Sequence, residues 1–452
     1  MKNSVLRATN RAMLGAVMLA AFGLGGCQTM KALQFWATAD NKSFASKGER
    51  IPILAPEDQL TVTDALKGQS FYLPPPQAQA DWPLAGGTPE QSVEHVDAAP
   101  DFKIAWRRGL GVSGMSRAHF VTAPPIEADG LVYAMDGQAG VSAHNAQTGA
   151  QVWRVNLQSR EPRDRDGFGG GLAYANGKVF VSSGYRFVAA LDAHNGHTLW
   201  RTATDEPVHA APTVSEGHVF VVSLDDQLYS FNTETGAPGW NYQAIVEPAR
   251  MLAASSPAIS GDAIITAFAS GEVIAKRASN GNDLWTQALS RSNRNSALSE
   301  IRDIAGRPVV YKGDVYAASH SGVFAAIDLR TGSPRWSLPV ASFTTPWAAG
   351  DVVYIVSQTG QLVCISRDSG GVYWIVDLNT RKGTANTYWF GPVLANNRLI
   401  LASSKGDLQA RDPKTGALIK TLRTGAPMMQ PPIAAGGLLY LVNEKAELVA
   451  IR

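Results

Sequence analysis

A unit that recurs seven times after Asp101 constrains the fold more than any other feature of the sequence. Each copy contains a small residue, often Asp or Asn two positions later, then Thr, Asn or Ser followed by Gly, and a tryptophan four positions after that glycine. The glycines, which lie 38 to 51 residues apart, are Gly149, Gly196, Gly236, Gly281, Gly332, Gly370 and Gly416. The last copy has Lys420 in place of the tryptophan. A recurrence of this length predicts an array of similar supersecondary units.

Each unit fits a four-stranded antiparallel blade. Residues 217–223 and 227–232 contain many β-branched and aromatic side chains, and they predict two of the strands. The Asp/Asn-x-x-Thr-Gly segment predicts a hairpin turn, because the Asp or Asn side chain can accept nearby backbone N–H groups and the glycine tolerates a positive φ. The tryptophan then lies on the next strand, where its large area can fill the gap between neighbouring blades.

The number of blades follows from eight strand openings, most of which contain proline. They are residues 123–126, 171–174, 211–214, 256–259, 307–310, 345–348, 391–394 and 431–434. The eighth unit lacks its turn and tryptophan, but residues 102–108 have the pattern of the missing strand, with Trp106 at the repeat position. Pairing the two ends of the chain removes exposed sheet edges. We therefore predict an all-β fold over residues 101–452: an eight-bladed β-propeller of four-stranded antiparallel blades, closed by its N- and C-terminal strands. Seven blades is the alternative if the Trp-less unit is degenerate.

The amino terminus has the pattern of a secretory signal. Lys2, Arg7 and Arg11 precede an apolar stretch over residues 12–24, which is shorter than the roughly 20 residues that a membrane-spanning helix needs. The Leu-Gly-Gly-Cys sequence that ends at Cys27 resembles the lipobox of bacterial lipoproteins. The resemblance implies cleavage of residues 1–26 as a signal peptide and acylation of Cys27, for example with palmitate. The alternative is a plain signal peptide with a chance cysteine.

The residue after Cys27 bears on the destination of the protein. Lipoproteins that stay in the inner membrane commonly carry Asp there, whereas this chain has Gln28. The resemblance therefore implies a lipid anchor in the outer membrane, with the protein on its periplasmic face. Residues 27–100 show weak periodicity and include three consecutive prolines at 74–76, and they predict an extended, lipidated tether before the propeller.

Charge and cysteine content exclude several classes of function. The chain carries 40 basic and 38 acidic residues, and three basic residues precede Cys27, so the remainder has 37 basic residues against 38 acidic ones. A nucleic-acid-binding protein normally has a basic surplus, and this chain has none, so we predict no nucleic-acid partner. With only Cys27 and Cys364, no cysteine-based metal cluster is possible. His194 and His197 flank a turn glycine, which favours solvated turn residues over metal ligands.

The repeat resembles that of the quinoprotein dehydrogenases, which hold pyrroloquinoline quinone in an eight-bladed propeller. Those enzymes typically carry insertions, a calcium ligand set and often a pair of adjacent cysteines. Here Cys364 is alone and no acidic cluster stands out, so we predict no cofactor, no metal and no catalytic residue, and a protein that is not an enzyme. A periplasmic quinone-dependent dehydrogenase is the alternative.

The lipobox, the tether and a compact quinoprotein-like propeller together resemble the BamB family of lipoproteins of the outer-membrane β-barrel assembly complex. Residues 81–87 and 48–54 are similar to segments of α-proteobacterial members. The resemblance implies a scaffold that binds the periplasmic POTRA domains of BamA and other subunits of the complex. It also implies assistance in outer-membrane protein insertion and contact with unfolded precursors of those proteins.

The resemblance further implies that two loops carry the partner contacts. The first spans residues 247–257 and the second residues 299–308. The partner-binding residues implied in this chain are Arg250, Met251, Leu252, Glu300, Arg302 and Asp303. Leu252 stands where the family has an arginine, and Ala305 replaces a second aspartate. The alternative is that both loops are only solvated. Equivalent loops on successive blades are adjacent, so the sequence predicts that the two loops form one surface.

Overall fold

Eight four-stranded antiparallel sheets make up the protein, as the repeat predicts. The computed structural model of the chain describes residues 60–111, 123–164, 167–247, 255–289, 302–380 and 386–452. Within these ranges the only helical elements are two short 3-10 turns, Asp64–Leu66 and Pro162–Asp164. The all-β, eight-bladed propeller is confirmed, and the seven-bladed alternative is wrong.

The strands of the first four blades, with the strand that precedes them, are β1 (Ile104–Gly109), β2 (Ile126–Ala128), β3 (Leu131–Met135), β4 (Gly140–Asn145), β5 (Gln151–Asn156), β6 (Gly170–Ala175), β7 (Lys178–Ser183), β8 (Phe187–Asp192), β9 (Thr198–Ala203), β10 (Thr213–Ser215), β11 (His218–Val222), β12 (Gln227–Asn232), β13 (Pro238–Gln243), β14 (Ala258–Ser260), β15 (Ala263–Ala267), β16 (Glu272–Arg277) and β17 (Asp283–Ala288). Those of the last four blades are β18 (Val309–Tyr311), β19 (Asp314–Ala318), β20 (Phe324–Asp328), β21 (Pro334–Leu338), β22 (Trp347–Ala349), β23 (Val352–Val356), β24 (Gln361–Ser366), β25 (Val372–Asp377), β26 (Trp389–Ala395), β27 (Arg398–Ser403), β28 (Asp407–Arg411), β29 (Leu418–Arg423), β30 (Ile433–Ala435), β31 (Leu438–Val442) and β32 (Glu447–Ile451).

Blades 1 to 7 each consist of four consecutive strands, from β2–β5 to β26–β29. Blade 8 combines the first strand of the described chain with the last three, in the order β1-β32-β31-β30. Trp106 of β1 lies opposite Ala450 of β32, and Gly109 lies opposite Glu447. The predicted closure by the terminal strands is therefore confirmed. Closure pairs strand edges that would otherwise be open to another chain.

In six of the eight blades the repeat tryptophan donates a hydrogen bond to the next blade. In blade 2 the Nε1–H group of Trp200 donates a hydrogen bond to the Thr233 carbonyl of blade 3, at 3.0 Å. The indole ring also lies against the turn glycine of that blade, where a Cβ on Gly236 would sit 2.5 Å from Cε3 of Trp200. Equivalent bonds join Trp106 to Ala146, Trp153 to Ala193, Trp240 to Ala278, Trp285 to Leu329 and Trp336 to Arg367. The prediction that these tryptophans pack between blades is confirmed.

The Asx turn that receives each tryptophan also follows the sequence prediction. In blade 3, Oδ1 of Asn232 accepts the backbone N–H groups of Glu234 and Thr235 at 2.9 and 3.0 Å. Gly236 closes the turn with a φ of +69°, a conformation that favours glycine. Glycine is therefore favoured at this position for two reasons: the backbone φ is positive, and the indole ring of the neighbouring blade leaves no space for a Cβ atom.

The Trp-less unit keeps its place in the ring through a different contact. Nζ of Lys420 donates a hydrogen bond to the Asp101 carbonyl at 3.1 Å, next to the start of blade 8. One blade earlier, the buried Nε1 atom of Trp374 has no hydrogen-bond partner among the described residues. The carbonyl of Pro413, in the turn that Trp374 faces, instead accepts the Tyr354 hydroxyl at 2.9 Å. Blade 7 is therefore a complete blade with altered contacts to its neighbours.

Residues 77–99, which we call the central plug, bond to all eight blades. The N–H of Trp82 donates to the Glu127 carbonyl at 2.7 Å, and the Glu127 N–H donates to the Trp82 carbonyl at 3.0 Å. The other bonds join Pro83 to Tyr174, Gln91 to Thr213, Pro89 to Ile259, Glu90 to Val310, Glu94 to Trp347, Val96 to Leu394 and Asn396, and Gln79 to Gly436. Part of the segment expected as a tether thus lies packed on the propeller. Its weak periodicity gave no sign of this packing, because most of these bonds are made by the backbone.

Side-chain burial adds to the attachment of the plug. Trp82 is 2% exposed and stacks on Trp347 with the ring centroids 6.4 Å apart. Burial raises the pKa of the Glu127 carboxyl to about 7, and the nearby charge of Asp81 acts in the same direction. A plug held by a large aromatic side chain and by bonds to every blade closes one end of the propeller axis.

Two glycines of blade 3 separate the effect of backbone conformation from that of indole contact. Gly217 and Gly236 have φ values of +80° and +69°, but a Cβ on Gly217 would meet nothing within 4 Å. We expect Gly217→Ala to cost about 1–2 kcal/mol for the left-handed conformation. Gly236→Ala should cost about 1–3 kcal/mol more, because its Cβ overlaps the Trp200 ring. Melting temperatures measured by circular dichroism test this prediction. Equal decreases in the two variants would contradict the role assigned to the indole contact.

Candidate partner-binding surface

The two predicted loops are the connections between blades 3 and 4 and between blades 4 and 5. They run from β13 to β14 and from β17 to β18. The predicted contact residues Arg250, Met251, Leu252 and Glu300 lie outside the described residues, as does Cys27. The structure places the other two predicted residues, Arg302 and Asp303, in the second connection.

The described parts of the two connections touch each other. Oγ of Ser255, at the end of the first connection, donates a hydrogen bond to the Gly306 carbonyl of the second at 3.1 Å. The turn between β15 and β16 lies beside them, since a Cβ on Gly271 would sit 3.1 Å from the Cβ of Arg302. The two loops therefore meet around blade 4 at their described ends, which are buried, while most residues of the predicted surface lie outside the described ranges.

Arg302 and Asp303 occupy different environments. The Arg302 side chain is exposed, whereas Asp303 is only 3% exposed. The Asp303 carbonyl accepts the backbone N–H of His320 at 2.8 Å, which ties the second connection to the turn between β19 and β20. Arg302 can therefore reach a partner directly, while Asp303 lies where it can hold the loop in shape.

An exposed apolar pair lies at the start of the first connection. Ile245 is 63% exposed and Val246 is 50% exposed, and they directly follow β13 and Ala244. The sequence prediction missed both, because it took the loop to begin at Glu247. Two adjacent β-branched residues just beyond the end of a predicted strand could have indicated an exposed apolar pair. They lie four to seven residues before Arg250, Met251 and Leu252 in the chain.

A cavity of about 250 Å³ lies between the inner ends of the blades. Every predicted strand opening, or the residue directly before it, contributes to its wall, including Pro124, Ser256 and Arg307. Trp82 and Gln91 of the central plug also line it. The ends of both connections therefore reach from the candidate surface to the axis of the propeller.

The family is decided by a match over most of the chain. The sequence profile of the family described as outer membrane protein assembly factor BamB matches residues 137–376 and 363–452. The chain belongs to the BamB family. One curated member, from Salmonella typhimurium, is 28% identical over 325 residues, which cover 71% of this chain and 82% of the relative.

Solved structures agree in fold. The crystal structure of BamB from Moraxella catarrhalis superposes with a TM-score of 0.67 at 18% identity, and the match covers 77% of this chain and 99% of that one. A quinohemoprotein alcohol dehydrogenase from Comamonas testosteroni superposes with a TM-score of 0.65 at 15% identity, over 82% of this chain and 80% of the enzyme. At such identities the likeness shows a shared propeller and nothing about chemistry.

The described residues do not match the ligand set that a calcium-quinone cofactor requires. No aspartate or glutamate lines the central cavity of this BamB-family chain among the described residues. Nor do the described residues hold a group of three His, Cys, Asp or Glu side chains that could bind a metal ion. Calcium prefers several carboxylate and carbonyl oxygens, so this lining is a poor match for it. The described ranges also contain no helix long and apolar enough to cross a membrane.

Proposed function

We propose that the chain is a non-catalytic scaffold lipoprotein of the outer-membrane β-barrel assembly complex. In this proposal it binds the periplasmic POTRA region of BamA through the two connections around blade 4 and assists the insertion of outer-membrane proteins. The observation that carries the proposal is the exposed apolar pair Ile245 and Val246 on the first connection. The second connection, which contacts the first, carries the exposed Arg302.

The chemistry of this surface suits a modest protein interface. Such interfaces combine an apolar centre with a charged rim and are enriched in arginine. Ile245 and Val246 supply apolar area that is now in water, and burying it contributes about 25 cal/mol per Å². Arg302 supplies a charge on the neighbouring connection, and the proposal adds Arg250, Met251, Leu252 and Glu300 from the sequence.

Cys27 is the proposed site of lipid attachment, and the outer membrane is the proposed location. Each buried CH₂ group of an acyl chain contributes about 0.8 kcal/mol, so several chains give stable anchoring. In this arrangement the protein needs no membrane-spanning segment. The anchor brings the propeller to the membrane in which its proposed partner lies, and this raises their effective concentration.

A mild-detergent pull-down from cell envelopes, read by mass spectrometry, tests the proposed function. We expect BamA and other subunits of the assembly complex to copurify with the wild-type chain. The Cys27→Ser chain should lose palmitate labelling and should either keep its uncleaved signal peptide or be soluble in the periplasm, because it lacks the cysteine that is acylated. Recovery of the wild-type chain without BamA would contradict the scaffold role. A quinone absorbance together with dye reduction on an alcohol would favour a dehydrogenase instead.

A further inference from the structure

The central cavity is lined by an arginine that has no ionic partner among the described residues. Arg307 is partly buried and lines the cavity, and its backbone N–H donates to Oγ1 of Thr345 at 3.2 Å. Its side chain makes no hydrogen bond or ion pair with a described residue, and its Nε atom is buried without a partner. Burial lowers the pKa of its guanidinium to about 10, so the group is still charged at neutral pH.

Another arginine of the same protein shows the usual arrangement. Arg411, which is 6% exposed, donates from Nε to Oε1 of Gln409 and from Nη1 to the Gly416 carbonyl, both at 2.9 Å. A buried charge without such partners is costly. The buried Nε atom of Arg307 has no such partner, and the residue lines a cavity, where an added anion could reach its guanidinium. The contrast points to a ligand rather than to a structural role for Arg307.

The wall of the cavity favours a flat, apolar ligand with a negative charge. Trp82, Trp347, Phe343 and Phe390 contribute aromatic side chains to the lining, together with several prolines. Among the described lining residues there is no aspartate or glutamate to repel an anion. The space of about 250 Å³ lies below the range of about 300–1,000 Å³ that drug-sized ligands occupy. The occupant must therefore be small.

We propose that the central cavity binds a small aromatic carboxylate, whose anionic group pairs with Arg307 and whose ring packs against the aromatic wall. The planar guanidinium suits a carboxylate because it can donate two parallel hydrogen bonds. The central plug closes the other end of the cavity, so the ligand enters from the end where the strand openings lie. Ile245, Val246 and Arg302 do not line this site, and its test is made on the chain alone, without BamA.

Calorimetric titration of the full chain with phenylacetate, and with neutral phenylacetamide as the matched probe, tests the site. Arg307→Gln removes the charge, Arg307→Lys retains it, and Arg423→Gln removes a charge from a side chain that is 91% exposed. We expect phenylacetate to bind the wild-type chain with a dissociation constant of about 1 mM or lower. Arg307→Gln should weaken binding at least tenfold, Arg307→Lys should weaken it less, and Arg423→Gln should leave it unchanged.

Thermal unfolding separates loss of the site from loss of the fold. Because Arg307 has no partner among the described residues, Arg307→Gln should melt at or above the wild-type temperature without ligand. Phenylacetate should raise the melting temperature of the wild-type chain but not that of Arg307→Gln. The proposal is overturned if phenylacetate does not bind, if phenylacetamide binds equally well, or if Arg307→Gln keeps wild-type affinity. A ligand-free Arg307→Gln chain that melts well below wild type would assign Arg307 a structural role and also overturn it.

Discussion

A chain that lacks residues 447–452 is expected to lose cooperative folding and to aggregate on expression. Residues 447–451 form β32, which pairs with β31 on one side and with β1 on the other. Leu448, Val449, Ala450 and Ile451 are fully buried. Loss of a buried leucine or isoleucine side chain typically costs about 2–5 kcal/mol. The stability of a whole protein is only about 5–15 kcal/mol, so the loss of this strand exceeds what the fold can tolerate.

The deletion also opens the ring. Without β32, both β1 and β31 present free edges, and such edges pair with other chains. A chain that lacks only Arg452 is the control, since it keeps β32 and loses only the backbone pair with Lys103 and an exposed ion pair with Asp101. We expect this control to be soluble and to melt slightly below the wild type. Size-exclusion chromatography and circular dichroism compare the two deletions. An unchanged melting temperature in the longer deletion would refute closure by the terminal strands.

The propeller is predictable from sequence because its blade contacts are local to the repeat. The turn glycine, the Asp or Asn before it and the tryptophan after it recur at fixed spacing, and each contributes to the joint between two blades. The count of eight depended on Trp106, which marks a fourth strand more than 300 residues away from its blade. That strand could be assigned because Trp106 keeps the repeat position. Its indole bonds to Ala146 of blade 1, as five other repeat tryptophans bond to the neighbouring blade.

The central plug could not be predicted because its residues carry no period. Most of its bonds come from backbone groups, which any sequence possesses, and its few anchoring side chains, such as Trp82 and Gln91, are not spaced regularly. The central cavity could be predicted from the sequence only in part. Its wall is built from the predicted strand openings, but the free guanidinium of Arg307 emerges only when the partners of every nearby side chain are known.

The candidate surface was also predicted in part. The equivalence of loops on successive blades predicts that the two connections meet, and the bond from Ser255 to Gly306 joins their described ends. The sequence could not show that Asp303 is buried while the neighbouring Arg302 is exposed, since both are charged residues in one loop. Ile245 and Val246 were missed because β-branched residues usually lie inside strands, and here the strand ends two residues earlier.

The exposed apolar pair gives the second large expected effect. We expect Ile245→Ala combined with Val246→Ala to weaken binding to the POTRA region of BamA at least tenfold, or about 1.4 kcal/mol. Full burial of one such side chain contributes about 1.5–3 kcal/mol, so partial burial of two is sufficient. Both side chains are largely exposed in the free protein, and their truncation should leave its stability nearly unchanged.

The chain offers a matched control in Leu418 and Ile419, a second exposed apolar pair on β29 of blade 7. Leu418→Ala combined with Ile419→Ala removes similar side chains on a blade that does not adjoin the candidate surface. Circular dichroism establishes that both double variants are folded.

Calorimetric titration of the wild-type chain and the two double variants against purified BamA POTRA domains tests the proposed scaffold role most directly. The account predicts measurable binding by the wild type, at least tenfold weaker binding by the Ile245/Val246 variant, and wild-type binding by the Leu418/Ile419 variant. No binding by the wild-type chain would contradict the scaffold role itself. Equal affinity of all three chains would mean that the connections around blade 4 do not form the interface.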